Sequence, residues 1–124
     1  MRKLIVFAAL TAMVAAPAAL AKERNIALAG KPAATKAGKA WMATVTVTRD
    51  KQPDAEGTAP TIRLVSQTIS TSGRVVNIVA RATEEVGVYK ARVRFPSAGM
   101  WRVVVIDAMT GRAYSFGKTR VRAA

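Results

Sequence analysis

Strict two-residue alternation constrains this chain more than any other feature. In Tyr89-Lys90-Ala91-Arg92-Val93-Arg94-Phe95, the residues Tyr89, Ala91, Val93 and Phe95 fall on one side, and Lys90, Arg92 and Arg94 on the other. Successive side chains of a strand point to opposite faces, so this run is a strand with one buried and one wet face. Thr44, Thr46 and Thr48 alternate in the same way with Ala43, Val45 and Val47 over a strand that begins at Trp41.

Further runs repeat the signal. Ile62–Gln67, entered through Pro60, and Val75–Ala82 both read as strands. Trp101 to Asp107 is nearly all apolar, which predicts a central strand covered on both faces. Arg112 to Arg122 reads as the last strand, with Gly117 marking a bulge. Between these runs lie turn formers, among them Pro96-Ser97-Ala98-Gly99 and Met109-Thr110-Gly111. No segment carries a helical apolar stripe. Short strands at even spacing predict an all-β fold, an immunoglobulin-like antiparallel β-sandwich of about seven strands.

The N-terminus reads as an address. Arg2 and Lys3 precede an apolar run from Leu4 to Ala16, Pro17 breaks it, and Ala19-Leu20-Ala21 is an A-x-A cleavage site. Residues 1–21 are therefore expected to be a signal peptide, and 22–124 a single domain that is periplasmic or secreted. The apolar run falls short of the roughly 20 residues of a spanning helix, so no transmembrane segment is expected after cleavage. Residues 22–40 are rich in Ala, Lys and Gly and read as a partly flexible segment. Asn25–Leu28 is a candidate first strand, and a loop follows it.

Charge and missing residue types narrow the function. The chain has 20 Lys and Arg against 7 Asp and Glu, no His and no Cys. Without these two residue types there is no disulfide, no thiolate nucleophile, no usual general base and no ordinary zinc site. The acids Asp50, Asp54, Glu56, Glu84, Glu85 and Asp107 read as solvated loop charges, so neither an enzyme nor a cofactor is expected. The basic surplus attracts anions.

The run Gly87-Val88-Tyr89-Lys90-Ala91-Arg92-Val93-Arg94-Phe95-Pro96-Ser97-Ala98-Gly99-Met100-Trp101 resembles the hairpin found late in YtkA-like and FixH-like domains. Trp41 to Val47, with Asp50 and Gly57, is similar to their first core strand and loop. CopC-like modules share part of the pattern. The resemblance implies an exported Ig-like domain, often an accessory to membrane or metal-handling systems. It carries over no catalytic residue. FixH-like proteins have an anchoring helix and CopC-like copper sites use histidine; this chain departs from both.

Two binding readings follow. The first places a basic face at Lys90, Arg92 and Arg94, with Thr44, Thr46 and Thr48 beside it if the two strands pair. Its expected partner is a protein or an anionic envelope component rather than nucleic acid, and a second basic row lies at Lys118, Arg120 and Arg122. The other reading is a periplasmic Cu(I) carrier. It would use the thioethers of Met42, Met100 and Met109 with Trp101.

Overall fold

A computed structural model describes residues 24–54, 57–68 and 74–124. The expected signal peptide and the turn at 70–73 lie outside the described residues. Among the described residues ten strands follow in order: β1 (Arg24–Ala29), β2 (Ala34–Lys36), β3 (Trp41–Arg49), β4 (Gln52–Pro53), β5 (Thr61–Ser66), β6 (Val75–Val79), β7 (Arg81–Ala82), β8 (Val88–Val93), β9 (Gly99–Ile106) and β10 (Ala113–Arg122). They form two sheets. The front sheet has the order β1-β3-β8-β7, with β4 paired to the end of β3; the back sheet has the order β2-β10-β9-β5-β6. This is the expected immunoglobulin-like sandwich, antiparallel except where β2 runs parallel to β10.

The alternation of the sequence builds the core. From the front come Ala43, Val45, Val47, Tyr89, Ala91 and Val93; from the back come Ile62, Leu64, Trp101, Val103 and Val105. Trp101 is fully buried and donates its Nε1–H to the Ser97 carbonyl at 2.9 Å. Phe95 lies between Trp101 and Trp41, with its ring centroid 6.1 Å from each. Such aromatic packing adds to the area the rings bury.

Four expectations change. Gly87–Trp101 is not a hairpin, because β8 belongs to the front sheet and β9 to the back. Its turn is an arch between sheets, which puts Phe95 and Trp101 in one core. The run Val75–Ala82 is not one strand. It breaks at Ala80, whose amide donates to the Pro60 carbonyl, and β6 and β7 join different sheets. β9 is central, but only one of its faces is fully covered; Arg102, Val104 and Ile106 on the other are half-buried. The loop expected after the first strand contains β2, held by Arg120, Val121 and Arg122. Gly117 does sit at the β9–β10 register shift, with φ 88°.

Candidate functional site

The sequence-predicted basic row is real, but its neighbours differ from those expected. β3 and β8 do pair, and Thr44 stands opposite Lys90. Because the strands are antiparallel, moving up β8 means moving down β3. Met42 therefore stands opposite Arg92, while Thr46 faces Val88 and Thr48 faces Asn25 and Pro53. Of the three threonines, only Thr44 directly joins the basic row. On the other side Arg81 of β7 stands opposite Lys90. Arg81, Lys90, Arg92 and Arg94 are exposed, and none has a carboxylate within ion-pair distance among the described residues.

Arg81, Lys90 and Arg92 border a groove of about 530 Å³ that opens between the edges of the two sheets. Ile78 and Ala91 line it from the core side, and Arg81, Lys90 and Arg92 from the surface. Met42 and Val79 also line it and are 51% and 65% exposed. The site thus combines apolar surface with several cations. The composition showed the charge; the apolar wall needed β6, which is distant in sequence.

The acids are segregated from this site. Asp50, Asp54, Glu84, Glu85 and Asp107 lie in or beside the turns at one end of the sandwich, whereas Arg92 and Arg94 lie toward the other. Two of these acids are not solvated, contrary to expectation. Arg24 donates from Nε to Asp107 Oδ2 at 2.7 Å and from Nη2 to Oδ1 at 3.1 Å, and its Nη1 pairs with Asp54. The three side chains are 8%, 1% and 5% exposed, in the order Arg24, Asp107, Asp54. Burial pushes the Asp107 carboxyl up, but hydrogen bonds from Arg24, the Met109 amide and the Thr110 hydroxyl hold it below the ordinary carboxylate value. The hydrogen bond to Asp107 raises the Arg24 guanidinium, against the cost of its burial. With its charges paired internally, this cluster is a structural tie between β1 and the β9–β10 turn.

The methionine set is not assembled. Met42 is on the outer face of the front sheet. Met100 stands opposite Arg120 in the back sheet, next to inward-facing Trp101 and so on the outer face. Met109 is in the β9–β10 turn. Sheets pack about 10 Å apart, so the three sulfurs cannot share one ion. Among the described residues, no three His, Cys, Asp or Glu cluster as metal ligands. The second basic row also forms, with Lys118 opposite Arg102 and Arg122 opposite Lys36.

Fold and groove together define an immunoglobulin-like sandwich with a basic edge site. No protein-family model matches the chain, and no curated protein matches it. Among solved structures, a β-glucosidase from Listeria innocua in complex with glucose is similar over 82% of this chain at 15% identity, with a TM-score of 0.54. The similarity spans 16% of the glucosidase chain. A superoxide reductase (neelaredoxin) from Ignicoccus hospitalis, in a single-substitution form, aligns over 86% of this chain and 85% of its own, at 11% identity and a TM-score of 0.47. The glucosidase likeness bears on the fold alone.

Proposed function

We propose that this chain is an exported, non-catalytic binding module that holds an acidic protein or anionic envelope component on its front-sheet edge. Lys90 and Arg92 make the contact, Arg94 and Arg81 extend it, and Thr44 offers a hydroxyl beside Lys90. The observation that carries this reading is the groove itself, in which cations without an ion-pair partner among the described residues flank an accessible apolar wall. Unpaired like charges on neighbouring strands repel one another, and an anionic ligand relieves that cost. The leader-like N-terminus supports export. The resemblance of Gly87–Trp101 to YtkA-like and FixH-like domains supports an accessory role.

The test is binding of fluorescent poly-glutamate across a salt series. Lys90→Ser/Arg92→Ser/Arg94→Ser should weaken binding and flatten its salt dependence more than the charge-matched Lys39→Ser/Lys51→Ser/Arg74→Ser. Equal losses in the two variants would reject a specific face.

A further inference from the structure

The groove has a backbone wall as well as a charged one. The Thr83 amide donates to the Val88 carbonyl, and the Val47 amide donates to the Gly87 carbonyl. In an antiparallel ladder, successive residues direct their backbone groups to alternate edges. Gly87, Tyr89, Ala91 and Val93 thus face β3, while Val88, Lys90 and Arg92 face β7. But β7 ends opposite Lys90, where the chain leaves for the back sheet through Ala80. The N–H and C=O of Arg92 therefore point into the groove, beyond the last residue of β7. An unfinished strand edge of this kind is a template for another chain.

The side chains specify what that chain should be. A residue placed opposite Arg92 projects to the outer face, beside the Arg92 guanidinium and diagonal to Lys90. Its neighbours project inward, over Ile78 and Ala91. Strand residues repeat every two positions, about 6.6–6.8 Å, which is also the spacing of Lys90 and Arg92 within β8. We propose that the groove takes an extended peptide in which acidic and apolar residues alternate, added as a strand to β8 beyond Lys90. The backbone ladder supplies affinity, the cations select the acidic positions, and the apolar wall selects the residues between them. A lipid headgroup or acidic polysaccharide offers the charge but neither a peptide ladder nor alternating apolar groups. This inference rests on the basic-face reading above and adds to it the class of partner and the register.

The experiment uses the purified protein and a synthetic eight-residue peptide of alternating Glu and Val. A second peptide carries N-methyl groups on alternate residues, and a third has the same composition in two blocks. The alternating peptide should bind and should protect the Arg92 amide from hydrogen exchange. The peptide N-methylated on its β8-facing residues should bind at least about fivefold more weakly, because it loses the hydrogen bond its N–H would donate to the Arg92 carbonyl. Arg92→Ser and Arg92→Pro remove the same charge, but only the proline removes the amide donor. That amide is not used by β3, so Arg92→Pro should fold and bind more weakly than Arg92→Ser. If all three peptides bind alike and the Arg92 amide stays unprotected, strand addition is overturned while the basic-face reading stands. If no peptide binds and poly-glutamate does not bind either, the basic-face reading itself is wrong.

Discussion

Replacing Arg24 by Met tests the buried cluster most directly. The guanidinium sits between Asp54 and Asp107, and all three side chains are at most 8% exposed. Without it, the Asp107 carboxylate loses two hydrogen bonds and Asp54 loses its ion pair with Arg24, while the Arg49 Nε stays 3.8 Å from it. Breaking a buried pair by removing one partner costs about 3–5 kcal/mol, much of it the penalty of the stranded charge. A domain this size is stable by about 5–15 kcal/mol, so the variant should fold but be much less stable. A loss of about 3 kcal/mol corresponds to a melting point lower by roughly 12–24 °C. Urea unfolding followed by tryptophan fluorescence would measure the loss, since Trp101 lies in the core; the m-value should not change. The variant Arg24→Met/Asp54→Asn/Asp107→Asn removes the stranded charges as well and should regain about 2 kcal/mol. A single-variant cost below about 1 kcal/mol, or a triple variant no better than the single, would refute the argument.

Three further outcomes follow from the same structure. Asp107 titrates below its unfolded value, so its contribution is present above about pH 4 and is lost as pH falls through the folded pKa; acid unfolding of Asp107→Asn should show a shallower pH dependence than that of the parent. Trp101→Ala should cost about 3–5 kcal/mol in urea unfolding, against about 0.5 kcal/mol or less for Arg102→Ala on the outer face of the same strand. Gly87 has φ 79°, and a Cβ there would lie 2.8 Å from the Val47 carbonyl oxygen, whereas one at Gly111, with φ 77°, would meet nothing within 4 Å. Gly87→Ala should therefore cost about 2 kcal/mol or more and Gly111→Ala about 1 kcal/mol; equal thermal shifts would show that crowding at Val47 is not felt.

The sequence by itself determined which residues face inward. Alternation is local, so Tyr89, Ala91, Val93 and Phe95 could be assigned to the core from seven consecutive letters, and Lys90, Arg92 and Arg94 to the surface. The bulge at Gly117 was legible for the same reason. Tertiary structure alone decided which sheet each strand joins. A short turn after Phe95 suits a hairpin or an arch equally, and burying Phe95 against Trp101 selects the arch. The register of β3 on β8 likewise placed Met42, not a threonine, opposite Arg92. The groove combines β8 with Ile78 and Val79, and no pattern within either strand announces the other. The buried cluster joins Arg24 to residues 30 and 83 positions away. Read singly, each of its charges looks like one more solvated side chain. Only their convergence in space, where each offsets the desolvation of the others, lets all three be buried.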